Sequence, residues 1–438
     1  MSIFLIIYAI FIVWVAFSDF SKVKNFDDFV LAGRKRGTLM VTSSILASVI
    51  GASATMGVVQ LAYKSGPSAM LWLGSGAVGL FFSGIWVAAR VRDTGAKTLV
   101  EAAKILIDVG SAKLITLVIV IAWTGIIAAQ FIAAAKLIDG CCDLGYTSSL
   151  AITSFLIIGY CVAGGQFSVL KTDMIQFFMM VFGILLTVAF LFKNNWSFNI
   201  YALPDEDSGF RISNIAYFML IVGSGFLIGP DIFSRYFSAG SNNIAKKSAY
   251  FSGFILFFIS VEIVTIGLWA RKFCEIPEGQ EALVWILGNK LPSGVGVLLS
   301  LGLLSAIISS ADTCLITSSA IVSGQFKNFT SVKSIRIVTL FIGVAALAVA
   351  WIKADIIKTL LLSYSVFNCG VIAPVFIAIL VSKKTKLKPI FVYIAIVTGG
   401  SLGLYANFSS NKQLFSIIAF LISVLFSVAA VLTGKKSD

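Results

Sequence analysis

The chain has 438 residues, 58% of them hydrophobic and only 12% charged, with a mean hydropathy of +0.99. Soluble domains carry about 25% charged residues, so a water-soluble globule is excluded. The net charge of +13 fits basic loops beside a membrane better than a nucleic-acid surface.

Apolar runs of about 20 residues cross a bilayer as helices. They predict an all-α polytopic membrane protein with thirteen spans, the first at 2–18. That segment has no basic n-region and no small-residue cleavage site, so it reads as a retained helix. Spans follow at 38–64, 67–91, 113–138, 147–163 and 173–192, then at 212–238, 247–270, 293–324, 333–352 and 357–382, and last at 388–407 and 413–433. The longest gaps are 19–37, 92–112, 193–211 and 271–292. The last contains EALVWILGNKL, whose helical spacing predicts a short interfacial or re-entrant helix.

Basic residues concentrate in alternate loops, among them Lys22, Lys24, Arg34, Arg92, Arg235, Lys246, Lys247, Lys327, Lys383 and Lys384. This places the N-terminus outside and the C-terminus in the cytoplasm of a multi-pass plasma-membrane (cell inner membrane) protein. Walker motifs are missing, which argues against ATP-driven pumping. The six cysteines show no zinc or disulfide spacing, and there is no histidine. Without a paired-acid or nucleophile–base arrangement, the chain does not read as an enzyme.

Two spans carry interruptions. The second has Gly51 and Gly57 in SVIGASATMG; the seventh has Gly223, Gly225, Gly229 and Pro230 in VGSGFLIGPD. Breaks five spans apart point to an inverted-repeat secondary transporter with its site at the breaks. The expected layout is an extra helix and loop (1–37), a first five-helix repeat (38–193), a second inverted repeat (212–382), and two C-terminal helices with a tail (383–438).

The run AIISSADTCLITSS (306–319) puts Asp312 among hydroxyls at membrane depth, where a carboxylate costs several kcal/mol, about 3 on insertion scales, unless it is satisfied. Ala306, Ser309 and Ser310 share a helical face, and Asp312 with Thr313 lies on an overlapping one. Oxygen ligands suit hard cations. With no imidazole, zinc and copper are disfavoured, leaving Na+ or a proton on Asp312. Carbonyls of Ala47 and Ile50, next to Gly51, are placed to complete an ion's shell. Thr172–Asp173 opens a span, where an acid caps a helix or holds a departing ion.

These segments resemble the sodium:solute symporter family. The resemblance rests on DDFVLAGRKRG (27–37), GGQFSVLKTDMIQ (164–176), GPDIFSRYFSAG (229–240) and SSADT, in the same order across nearly the whole chain. It implies a LeuT-type inverted-repeat fold of five plus five helices. The resemblance also implies a main sodium site of Ala47, Ile50, Ala306, Ser309 and Ser310. Some members bind a second sodium, here matched by Asp173, Ser309, Asp312 and Thr313.

The solute pocket is expected between the two breaks. Its candidates are Ser53, Thr55, Trp123, Gln130, Phe226, Glu262 and Asn368, with Glu262 read as a solute contact or as structural. The reading is sodium-coupled symport by a monomer. An amino acid, amine or carboxylate is favoured over a sugar. A proton-coupled carrier of the same fold and a solute-sensing membrane protein are the alternatives.

Overall fold

The computed structural model describes residues 2–18, 26–193, 210–325, 331–352, 355–381 and 385–436. Helices dominate because hydrocarbon offers backbone groups no partners, and a helix satisfies them within its own segment. A two-residue antiparallel pairing joins Thr385–Lys386 to Lys435–Lys436.

In chain order the helices that build the site are α1 (Ser2–Ser18), α2 (Thr38–Val49), α3 (Val58–Ser65), α4 (Met70–Trp86), α5 (Val109–Cys142) and α6 (Tyr146–Lys193). They are followed by α7 (Ile212–Phe218), α8 (Pro230–Ser238), α9 (Asn242–Phe273), α10 (Ala282–Asn289) and α11 (Ser293–Gly324). After these come α12 (Val332–Ile352), α13 (Ile356–Phe367), α14 (Ala373–Val381), α15 (Pro389–Ala406) and α16 (Lys412–Leu432). Eleven described helices are long and apolar enough to cross a bilayer, and Ile3–Ile12 and Thr38–Val49 are shorter apolar ones. The expected boundary between the second and third spans is present: α3 is capped at Gly66 (φ 79, ψ −153), and a 3-10 turn, Gly66–Ala69, leads into α4.

Both expected interruptions are present. Between α2 and α3 the backbone leaves the helix at Ile50 (φ −97, ψ 70) and resumes through a π-helical stretch, Ser53–Gly57. Between α7 and α8 a π-helical stretch (Met219–Gly223) and one helical turn (Ser224–Leu227) end at an extended Gly229. Pro230 causes the second break: it offers no N–H and pushes the preceding residue out of the helical region. EALVWILGNKL does form a helix, α10. The gap at 92–112 holds a further helix, Leu99–Leu106, capped by Thr98, whose hydroxyl accepts from Glu101 N–H.

The start of α2 and the end of α8 are tied by a parallel bridge, with Arg36 N–H donating to Ser238 O (3.2 Å) and Gly240 N–H to Arg36 O (2.9 Å). Tyr8 of α1 accepts from Gln176 of α6 (2.9 Å) and from Ser305 of α11 (2.8 Å), so the extra helix braces the serine-bearing one.

Where α4 passes the second break, a Cβ on Gly79 would lie 2.0 Å from the Gly223 carbonyl oxygen. Backbone cannot yield as a side-chain tip can, so Gly79→Ala separates the two segments. Its expected cost is that of overpacking, about 1–3 kcal/mol, read as a lower midpoint in detergent-solubilised thermal unfolding.

Lys22, Lys24, Lys327, Lys383 and Lys384, part of the orientation argument, lie outside the described residues. Arg235, assigned to a cytoplasmic loop by the charge pattern, is instead in α8 and wholly buried. Asp173 does not cap a helix: it sits inside α6 and is also wholly buried. The two residues have a common explanation, given next.

Candidate functional site

A broken helix frees backbone groups that must be satisfied. At the first break Ala52 N–H donates to Gln130 Oε1 of α5 (2.9 Å). The freed carbonyls face α11, where Ser309 Oγ donates to Ala47 O (2.7 Å) and to Ala306 O (3.1 Å). Ser310 Oγ donates to Ser48 O (2.8 Å) and to Ala47 O (3.3 Å). Five oxygens thus converge, and Ile50 is the residue at which the backbone turns out of the helix. The approach depends on Gly51, since a Cβ there would lie 2.4 Å from Ser310 Oγ and 2.9 Å from Gln130 Oε1. At the second break the Leu227 carbonyl accepts from Ser83 of α4 (3.0 Å), which in turn accepts from Tyr236 (2.9 Å).

The hydroxyl-rich run of α11 divides in two. Ser318 and Ser319 bond back to Cys314 O (2.7 Å) and Leu315 O (2.6 Å), the ordinary use of serine inside a helix. Ser309, Ser310 and Thr313 reach other helices instead.

Beyond Ser310 the arrangement turns ionic. Arg235 Nη2 donates to Asp173 Oδ2 (2.9 Å) and to Thr313 Oγ1, its Nε donates to Ser44 Oγ (3.0 Å), and its Nη1 to Ser234 Oγ (2.9 Å). Ser44 Oγ donates to the same Asp173 oxygen (2.5 Å). Each group was legible only as an isolated charge. Together they form an ion pair with both side chains fully buried. Asp312 is buried beside it; its Oδ1 accepts from Thr313 Oγ1 (3.4 Å), and its Oδ2 makes no hydrogen bond of normal geometry, with the Tyr160 hydroxyl close to the carboxylate. The residues matched to a second sodium are therefore neighbours, with a guanidinium bonded to two of them.

A cavity of ≈ 40 Å³ extends from Ser48, Gly51 and Ser310 to the second break. A water needs about 10–15 Å³ on this measure, so the space holds about three waters in this conformation. Of the pocket candidates, Ser53, Trp123, Gln130, Phe226 and Asn368 line it. Thr55 does not; its hydroxyl bonds back to Gly51 O (2.9 Å). Glu262 lies half-buried on α9, away from this lining. Among the lining residues that escaped the sequence reading are Asp231, Tyr364 and Phe367. Asp231 follows Pro230 in the first turn of α8, where an acid looks like routine helix-end chemistry. Two larger hollows, ≈ 380 and ≈ 440 Å³, are almost wholly apolar.

A polar vestibule of ≈ 340 Å³ lies past the far end of the broken helix, lined by Gln60, Lys64, Lys136, Glu281, Asp355 and Lys358 among others. Lys136 and Glu281 pair across it (2.7 Å). Gly57 and Ile357 line its floor, and a Cβ on Gly57 would meet Ile357 Cδ1 at 2.6 Å, so one side chain lies tight over the break.

Comparison with known proteins agrees with this geometry. The chain is 25% identical over 393 residues to a sodium/proline symporter of Staphylococcus aureus, covering 82% of this chain and 76% of that one. It is similar in structure to a Na+-coupled sialic acid symporter in a substrate-bound outward-open state, with a TM-score of 0.83, 16% identity, and coverage of 100% of this chain and 98% of the other. It is also similar to MhsT in complex with L-phenylalanine, with a TM-score of 0.61, 14% identity, and coverage of 90% and 98%. These structural relatives share the inverted-repeat fold. The model of the sodium:solute symporter family matches residues 29–388, and the chain belongs to that family: it is a multi-pass, Na+-coupled symporter of solutes and not an enzyme.

Proposed function

We propose that the chain takes up a small organic solute with sodium by alternating access, and that the solute is an amino acid, amine or carboxylate rather than a sugar. One observation carries the reading: the Ser309 and Ser310 hydroxyls meet the Ala47 and Ser48 carbonyls at the break, on the wall of a small cavity. Ala47, Ile50, Ala306, Ser309 and Ser310 make the main sodium site. Without the ion, hydroxyl protons occupy the carbonyl lone pairs. When sodium arrives the hydroxyls turn, and the Ser309 and Ser310 hydroxyls and the Ala47 and Ala306 carbonyls, which bonded one another, now bond the ion together with the Ile50 carbonyl. The ion draws the broken helix onto α11 and fixes Ser310 and Gly51 in the solute cavity. Solute and ion therefore stabilise the same closed arrangement.

Asp173, Ser309, Asp312 and Thr313 form the second cation position of the reading. Arg235 already supplies a positive charge to Asp173 and Thr313 there, which favours one sodium per cycle. With the N-terminus outside, the vestibule over Gly57 is the entry side and the Arg235 network closes the cytoplasmic side. One sodium falling through 100 mV supplies about 2.3 kcal/mol. The small cavity and the proline and phenylalanine of two relatives support a solute of amino-acid size, while the third relative carries the larger, carboxylated sugar sialic acid.

The test is uptake into proteoliposomes at fixed pH. A panel of amino acids, amines and small carboxylates is offered under an inward sodium or potassium gradient. Accumulation is expected with sodium alone. Equal accumulation under a proton gradient without sodium overturns the reading in favour of proton coupling. Sodium-dependent binding without counterflow overturns it in favour of a sensor.

A further inference from the structure

The solute cavity has one charged side chain in its lining, Asp231. It is half-buried at membrane depth, and among the described residues no lysine or arginine comes within ion-pair distance of it. The nearest candidate, Arg235, lies one turn along α8 and spends its guanidinium on Asp173, Ser44, Ser234 and Thr313. The first turn of α8 steadies an anion, but that does not explain why the carboxylate faces a cavity.

The rest of the lining answers that. Four aromatic rings, Trp123, Phe226, Tyr364 and Phe367, share the cavity with Asp231, and Trp123 meets Phe367 edge-on at 4.7 Å. Ring faces and a carboxylate are the two groups that attract an organic cation. Two further polar atoms lack partners here. Asn368 Oδ1, wholly buried, has no hydrogen bond, although its amide donates to Ile221 O. Trp123 Nε1, on a buried ring, lies beside the Cys314 thiol without a hydrogen bond of normal geometry. Buried polar groups are seldom left unpaired unless something else satisfies them.

We infer that Asp231 receives the positive charge of the solute, which is a small organic ammonium held between this carboxylate and the surrounding rings. The inference rests on the reading of this cavity as the solute site. It narrows three solute classes to one chemistry: amines and zwitterions with an exposed ammonium fit, while simple carboxylates and neutral polyols do not. Asn368 Oδ1 is a ready acceptor for N–H of a primary or secondary ammonium. A quaternary ammonium, with no N–H to donate, relies on the rings and on the Asp231 charge.

The test is binding to the purified full chain in sodium chloride and, separately, in potassium chloride. Ethanolamine, choline and glycine betaine are compared with 3,3-dimethyl-1-butanol, the uncharged carbon isostere of choline, and with lactate. At least one ammonium probe is expected to raise the unfolding temperature in sodium, and the isostere and lactate are not. Asp231→Asn is expected to weaken that probe about ten- to hundredfold, the loss of a charge-assisted contact, while sodium still stabilises the variant. That sodium effect reports an intact fold. If Asp231→Asn does not fold, Asp231→Glu and the choline–isostere pair on the unaltered protein carry the same comparison. Equal binding of uncharged or anionic probes, or unchanged affinity in folded Asp231→Asn, overturns the inference. So does a variant whose sodium requirement rises while its probe affinity holds, since Asp231 then binds the ion. Probe binding that needs no sodium sinks the proposed coupling instead and leaves the ammonium assignment standing.

Discussion

Arg235→Met is expected to destabilise the protein by about 3–5 kcal/mol, the cost of stripping one partner from a buried ion pair. The guanidinium makes four hydrogen bonds to Asp173, Thr313, Ser44 and Ser234, and both members of the pair are sealed from solvent. Removing it leaves the Asp173 carboxylate with only the Ser44 hydroxyl. A carboxylate in that position must either take a proton or draw in water, and both loosen α6 from α8. The companion experiment is Asp173→Leu with Arg235→Met. Replacing both charges by apolar groups of similar volume is often neutral, so the double variant is expected to regain most of the lost stability. Thermal unfolding in detergent reads both. A single variant as stable as the unaltered protein, or a double variant as unstable as the single, removes the pair from the fold's energetics.

Ser309→Ala with Ser310→Ala is expected to raise the sodium concentration for half-maximal stabilisation at least about 10- to 100-fold, the range seen when even outer-shell partners of a metal ion are lost. The two hydroxyls are also what hold the freed Ala47 and Ser48 carbonyls. Their loss leaves buried acceptors unpaired, at about 1–3 kcal/mol each. Two effects then separate experimentally. The sodium-free protein melts earlier, and added sodium no longer recovers it, because the ion has lost two of its ligands. Unfolding temperature is followed against sodium at constant ionic strength, with potassium as the balancing ion. A variant that melts early yet gains the usual increment from sodium shows that the serines brace the break and do not ligate.

Much of the architecture could be read in the chain because its causes are local. Gly229–Pro230 forbids continued helix wherever it stands. Glycines at Gly51 and Gly57 sit where another segment presses close. Hydroxyls at Ser309 and Ser310 sit on one helical face by spacing alone. Arg235 was illegible for the opposite reason. The segment SRYFSAG looks amphipathic and basic, and nothing within it shows that Asp173, 62 residues earlier, will cover its charge. Asp231 was masked by a sufficient local explanation, that of an acid after a helix-starting proline. Tyr364 and Phe367 read as routine apolar positions in a span, because facing a cavity or facing lipid demands the same side chains. Thr55 misled in the other direction: a hydroxyl two residues from a pocket lining can spend itself on its own backbone.

The Arg235 guanidinium draws together α2, α6, α8 and α11, the two halves of the molecule included. No one of those segments can retreat without stranding the others around an uncovered charge. In the proposed orientation these contacts lie on the cytoplasmic side, so opening there has to break several charge-assisted bonds together. On the proposed reading that joint cost works against slippage, the wasteful passage of cation without cargo, and it rests on one planar side chain.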